Sequence, residues 1–328
     1  MTAKLTDERR ARLAEFIEPF RVTPGRRVNL AEDFDPAFRG GIETKKKGRA
    51  LLTEGVQLLA EYQARLAAQG TAGVLFVLQA PDSAGKDGTI RHVMSGVNAQ
   101  GVTVNSFKVP SSEERHHDFL WRYEQRLPGR GAIGIFNRSH YEEVLVVRVH
   151  RETLDRELLP RSAKKKGIWK RRYREINDWE RYLTDNGVAV VKVLLNLSKE
   201  EQRARLLRRI DLPDHNWKFS EADLTERARW DDYQRAYSEM LSHTSTDWAP
   251  WHVIPADRKW FGRTAAAAVL VDAMMQIDPR YPRLDKSGRE ALEHARASLQ
   301  AEASEGATGA PEDGETSVRG VRAFNGSR

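Results

Sequence analysis

The sequence predicts an α/β protein built on a doubly wound, parallel, five-stranded sheet. Three observations carry this reading. Five short apolar runs, at 74–79, 102–108, 132–136, 188–197 and 251–254, alternate with stretches of helical period. The first run, VLFVLQ, is apolar at nearly every position, as expected of a strand buried on both faces. Strand–helix–strand spacing of this kind joins parallel neighbours through right-handed crossovers.

Taken in order, residues 7–20 predict a short charged helix, followed by an irregular stretch at 21–41 containing Pro24, Gly25 and Pro36. A second helix is expected over 44–68, where Leu51, Leu52, Gly55, Leu58, Leu59, Tyr62 and Leu66 form a stripe. These first 70 residues read as an N-terminal helical extension. Gly70 and Gly73 lead into the first strand, and a helix is expected over 86–97. The second strand is β-branched and alternating and stops at Pro110; Ser111 to Glu114 then starts a helix running toward Pro128. The third strand, 132–136, gives way to Asn137-Arg138-Ser139-His140-Tyr141-Glu142-Glu143. A basic helix over 167–184 carries Trp169, Tyr173, Ile176, Trp179 and Leu183 on one face, and its Lys164–Arg174 run reads as a solvated face. The fourth strand ends at Ser198-x-x-Glu201, a capping-box pattern that opens an arginine-bearing helix. A polar irregular stretch follows at 211–219, then a long helix over 220–242, the fifth strand, and a closing helix over 260–277. From Lys286 the pattern dissolves, and 286–328 reads as a disordered tail.

Composition bounds the partners. The chain has 328 residues, 54 Lys+Arg against 47 Asp+Glu, and no cysteine, so disulfides and thiolate metal sites are excluded. The net charge of +7 points to an anionic partner. No apolar run reaches the length of a membrane span; the longest are interrupted by Lys192 and Asp272. The charged start does not resemble a signal peptide, so a cytoplasmic protein without membrane partners is expected. Nor is there the aromatic–basic interleaving that stacks bases, which argues against a nucleic-acid partner.

The chemistry centres on residues 79–89, Gln-Ala-Pro-Asp-Ser-Ala-Gly-Lys-Asp-Gly-Thr. Strand, Gly-containing loop and Lys86 at a helix start form the layout of a phosphate-cradling P-loop, in which helix N-terminal amides face the anion. Ala80 replaces the first glycine of the usual spacing, and Asp87 the hydroxyl residue that would face Mg²⁺. Asp82 beside a phosphate would repel it unless a divalent cation intervened, so Asp82 reads as a metal ligand. Asp87 is also favourable at a helix N-terminus on dipole grounds alone. An ordinary strand–turn–helix with a capping acid is the alternative.

Ligands of such sheets lie beyond the carboxyl ends of the strands. That convergence places Asp82 to Lys86, Lys108, and Asn137 to Glu143 around one crevice, with Arg138 as a bidentate phosphate clamp. Arg205, Arg208 and Arg209 fall at i, i+3 and i+4, on one helix face before a polar stretch, with Leu206, Leu207 and Ile210 on another. The arrangement resembles the helical lid of nucleotide kinases, placed at about 198–220.

Together these stretches resemble the polyphosphate kinase 2 family. The likeness rests on residues 79–89, on QGVxVxSFK at 100–108, on HDFLWR at 117–122, on IFNRSHYEEVLVVR at 135–148 and on SKEEQxxR at 198–205. It extends over about 22–282 and leaves the tail uncovered. The resemblance implies a thymidylate-kinase-like P-loop fold over 71–285 and Mg²⁺-dependent phosphoryl transfer between inorganic polyphosphate and AMP, ADP or ATP. It implies that Lys86 holds phosphate oxygens, that Asp82 holds the metal, and that Arg138, Arg205, Arg208 and Arg209 stabilise the transferring group. Ala84, Gly85, Asp87, Gly88, Thr89, Lys108, Asp118, Arg122 and Lys218 would bind phosphate or nucleotide. Most members of the family carry Asp where this chain has Asn137; the Asn form resembles a subgroup acting on both AMP and ADP. Glu142 and Glu143 would then join Asp82 and Asn137 around the metal. A homo-oligomer is expected. The rival readings are an ATP-dependent nucleoside monophosphate kinase of the same fold and a nucleic-acid-binding P-loop protein.

Overall fold

The computed structural model describes residues 3–307. Five strands, β1 (Gly73–Gln79), β2 (Val102–Ser106), β3 (Ile133–Asn137), β4 (Val188–Asn196) and β5 (Trp251–Pro255), form one sheet of order β2-β3-β1-β4-β5. All pairs are parallel, with Phe76 opposite Ile135 and Val191, so β1 is central. The order reverses beside β1, which puts the topological switch, and hence the ligand crevice, at its carboxyl end.

One face of the sheet packs on α1 (Ala3–Ile17), α2 (Lys45–Gln69), α3 (Lys86–Val93) and α8 (Lys259–Ile277). Alternate residues, Phe76 and Leu78 of β1 and Val193 and Leu195 of β4, enter this layer, where Ala265 to Val271 let α8 approach closely. At Gly48 on α2 an added Cβ would lie 2.3 Å from the Trp260 ring, so only glycine permits the contact. The other face, through Leu75, Val77, Phe136 and Leu194, packs on α4 (Ile168–Asp185) and α7 (Trp230–Thr244). A strand buried on both sides thus reads as a continuous apolar run, the pattern seen in β1.

Residues up to Tyr281 form one compact unit. The first 70 residues are therefore no separate extension: α2 lies in the core layer, and Val22 N–H donates to Trp251 C=O at 2.8 Å. The long helix expected over 220–242 is two, α6 (Glu221–Ala228) and α7, parted at Arg229. The helix expected after Ser111 likewise breaks into Ser112–His116 and Trp121–Glu124, because Asp118 Oδ1 caps the Leu120 N–H at 2.9 Å. The expected tail is corrected in part. Residues Lys286–Ala307 form a helix, α9, rich in Ala, Glu and Arg of high helix propensity, within a second unit beginning at Pro282. The remainder of the expected tail lies outside the described residues. Among the described residues no helix is long and apolar enough to cross a membrane.

Candidate active site

The loop between β1 and α3 turns through two left-handed residues, Ser83 (φ 67°) and Gly85 (φ 100°). Glycine suits the second, which delivers the chain into the first turn of α3. Lys86 opens that helix and folds back over the loop, its Nζ donating to Ala80 C=O at 2.9 Å. Burial pulls the Lys86 ammonium below its usual range, against the attraction of Asp82. The first turn of α3 thus presents Lys86, Asp87, Gly88 and Thr89 to one space.

At the end of β3, Arg138 is also left-handed (φ 63°) and its N–H donates to Leu78 C=O at 3.2 Å, which ties the two strand ends together. Its guanidinium reaches Asp82 Oδ1 at 3.1 Å and Glu142 at 3.6 Å. Asn137 donates from Nδ2 to Asp87 Oδ1 at 2.8 Å and to Ser106 Oγ at 3.3 Å. Loop, β2 end and β3 end therefore meet, as expected of a switch-point crevice.

The crevice has a volume of about 760 Å³. Asp82, Ser83, Ala84, Gly85, Lys86, Asp87, Gly88, Thr89, Lys108, Asn137 and Arg138 line it, with Arg205, Arg208, Arg209 and Lys218 from the far side. Arg91, Lys259 and Arg263 complete the wall, and sequence reasoning missed all three. Lys259 and Arg263 stand at the start of α8, and their only signal was a pair of cations opening a largely apolar helix. Burial, and then mutual repulsion, lowers the pKa of both: Arg205, Arg208 and Arg263 act on Lys259, and Arg91, Arg49 and Arg205 on Arg263. Such a bank of like charges suits a polyanion.

The arginine helix α5 (Lys199–Asp211) is turned otherwise than its pattern suggests. Arg205 is buried, and its guanidinium donates to the carbonyls of Ser83 (3.2 Å), Ala84 (2.8 Å), Ala256 (2.5 Å) and Asp257 (3.0 Å). Glu201 pairs forward with Arg205 Nε at 2.8 Å, so only the Ser198 half of the capping box forms. Leu207 and Ile210 are exposed instead. Arg208 stays exposed, while Arg209 donates to Ser83 Oγ at 2.7 Å and pairs with Asp223.

Four expected site residues lie elsewhere. Glu143 is buried against Arg172 (3.4 Å) and is pushed up to about 7 by that burial, so it faces away from any metal at the loop. Glu142 stands behind Arg138, outside the lining, and burial raises its carboxyl too. Arg122 is buried, donating to Lys108 C=O at 3.0 Å and lying over the Phe107 and Tyr123 rings. Asp118 serves its local turn.

Parallel sheet, strand-end phosphate loop and cationic crevice define a P-loop phosphotransferase fold. The chain belongs to the polyphosphate kinase 2 family, whose pattern, described as "Polyphosphate kinase 2 (PPK2)", matches residues 42–282. Among its relatives, the ADP-polyphosphate phosphotransferase of Rhodopseudomonas palustris is 46% identical over 284 residues, covering 85% of this chain and 97% of that protein. The AMP/ADP-polyphosphate phosphotransferase of Meiothermus ruber is 43% identical over 270 residues, covering 81% and 96%. The crystal structure of Polyphosphate Kinase 2 from Arthrobacter aurescens TC1 superposes with a TM-score of 0.76 at 42% identity, over 85% of this chain and 96% of that one.

Proposed function

We propose that the protein transfers phosphoryl groups from inorganic polyphosphate to nucleotides, forming ATP from ADP and ADP from AMP. The observation that carries this is the cationic wall of Arg91, Arg208, Lys259 and Arg263, which continues the phosphate loop along a crevice of about 760 Å³.

In the transfer, a terminal phosphate oxygen of the acceptor forms a new bond to the last phosphorus of the polymer. The bridging P–O bond breaks, and its electron pair leaves on the shortened chain. The acceptor oxygen is already ionised near neutral pH, so no protein nucleophile is required and positioning with charge neutralisation suffices. Lys86 and the α3 amides hold phosphate oxygens, Arg138 grips the transferring group from the β3 side, and Arg208 and Arg209 face it from α5.

The donor set fits Mg²⁺. Among the described residues no three His, Asp or Glu form a metal cluster. Two carboxylates, Asp82 of the loop and Asp87 in the first turn of α3, do line the crevice, and this hard cation binds through one or two carboxylates plus phosphates and water. Asp82 and Asp87 would hold it, and it would neutralise charge shared between donor and acceptor. Asn137 supports it indirectly, by orienting Asp87.

The test is ATP formation from ADP, and ADP formation from AMP, with long-chain polyphosphate as the sole donor. Lys86→Ala should lower turnover by about 10²–10³-fold with little change in Tm. An active Lys86→Ala protein would refute the loop assignment, and AMP phosphorylation from ATP alone would favour a nucleoside monophosphate kinase.

A further inference from the structure

Beneath the turn that carries Arg138 lies a set of buried polar groups that the transfer does not use. Lys192 sits on β4 between Val77 and Trp251, fully buried, as are Glu180 on α4 and His140. Lys192 Nζ donates to Glu180 Oε2 (2.6 Å), Tyr141 Oη (2.9 Å) and Thr244 C=O (2.6 Å), which uses all three of its N–H groups. Tyr141 donates in turn to Glu180 Oε1 at 2.7 Å, and His140 Nε2 lies 3.1 Å from the same oxygen. Burial pulls the His140 pKa down; Nε2 is the nitrogen that faces Glu180, and Nδ1 has no partner among the described residues. Burial opposes the Glu180 charge as well, but Lys192 and His140 together hold its carboxyl below the usual range.

Such a network is weak evidence of stability, because apolar side chains of similar volume often fill a core as well as a buried ion pair. What it anchors explains it better. His140 and Tyr141 follow Arg138 by two and three residues, and Arg138 occupies a left-handed backbone (φ 63°) that side-chain-bearing residues avoid. Strain of this kind persists only where the surroundings over-determine it. Here Gln79 Nε2 holds Ser139 Oγ at 3.0 Å, Leu78 C=O holds the Arg138 N–H, and the buried network holds the next two side chains.

We propose that Glu180 and Lys192 are positioning residues: through His140 and Tyr141 they lock the turn that aims the Arg138 guanidinium at Asp82 and the crevice. The proposal rests on the phosphotransfer reading above.

The experiment is steady-state ATP formation from ADP and polyphosphate by Tyr141→Phe and by the double variant Glu180→Gln/Lys192→Met, each with and without Arg138→Ala. Tyr141→Phe removes one hydroxyl and keeps the ring, so it decides the question even if the charge-pair variant does not fold. The expected result is a folded protein with kcat down about tenfold and KM for both substrates within about twofold. Adding Arg138→Ala should bring no more loss than Arg138→Ala alone, because the network acts through that side chain. An unchanged kcat in folded Tyr141→Phe, or losses that multiply with Arg138→Ala, would overturn the proposal. If the unaltered protein makes no ATP from polyphosphate but converts ATP and AMP to ADP, the donor assignment fails. The same cycle read on that reaction then decides the network's role.

Discussion

Replacing Arg205 by Met separates a clamp from a catalyst. In the structure this guanidinium donates to four main-chain carbonyls, two from the phosphate loop and two from the end of β5. Methionine keeps the apolar stem and removes every donor. The bonds to Ala84 and Ala256 are buried, so those two carbonyls would lose their donor at about 1–3 kcal/mol each, while Ser83 and Asp257 recover water. The expected cost is about 3–4 kcal/mol. At roughly 2 °C per kcal/mol for a body of this size, Tm falls by about 6–8 °C. The exposed Arg208 side chain makes no ion pair or hydrogen bond among the described residues and is the internal control. Arg208→Met should leave Tm within about 1 °C and lower kcat/KM for polyphosphate. Scanning calorimetry and ATP formation are measured on the same preparations. If Arg205→Met melts like the unaltered protein and loses activity as Arg208→Met does, Arg205 acts on the substrate and the clamp is wrong.

Two further outcomes follow from the geometry. Burial lowers the His252 imidazole to about 4, with Arg21 acting in the same direction, so the unfolded chain binds the extra proton first as pH falls. Stability should drop between about pH 6.5 and 4 by up to about 3 kcal/mol; urea midpoints of His252→Gln across that range should fall less steeply, and parallel curves would refute the assignment. Asn137→Asp would set a second carboxylate against Asp87, where the amide now donates at 2.8 Å. Its Tm in EDTA should lie below that of the unaltered protein and recover with Mg²⁺, and its ratio of AMP to ADP turnover should change; a Tm insensitive to Mg²⁺ would separate Asn137 from the metal.

Much of this architecture was legible because it rests on local pattern. β1 is apolar up to its last residue, Gln79, since both its faces are covered, and the loop that follows it carries its glycine and lysine in adjacent places. Other features depend on orientation, which local spacing does not encode. Arg205, Arg208 and Arg209 do share a helix face, but the sequence could not say that the body would cover Arg205 and leave Leu207 and Ile210 outside. Glu142 and Glu143 are neighbours in sequence; the short 3₁₀ turn His140–Val144 sends one behind Arg138 and the other to Arg172. Arg91 and Arg263 meet at the crevice from helices far apart in the chain, a convergence that no single-segment pattern reveals. Lys192 registered only as an interruption of an apolar run, although a lone cation inside a strand buried on both faces calls for a partner acid.

The segment joining α1 to α2 also covers one border of the sheet. It bridges Arg21 to His252 in antiparallel fashion and takes a Ser245 hydroxyl bond on Val22 C=O. From Val28 to Leu30 it laces along α7 through Ser242 and Ser238. In this way it closes the β5 border of the sheet, whose backbone groups would otherwise be open to a strand from another molecule. The opposite border is β2, five residues long like β5. A chain trimmed past about residue 30 would lose this cover together with the buried Phe20, Val22, Val28 and Leu30, so an open strand and a weakened core would both favour clumping in concentrated solution.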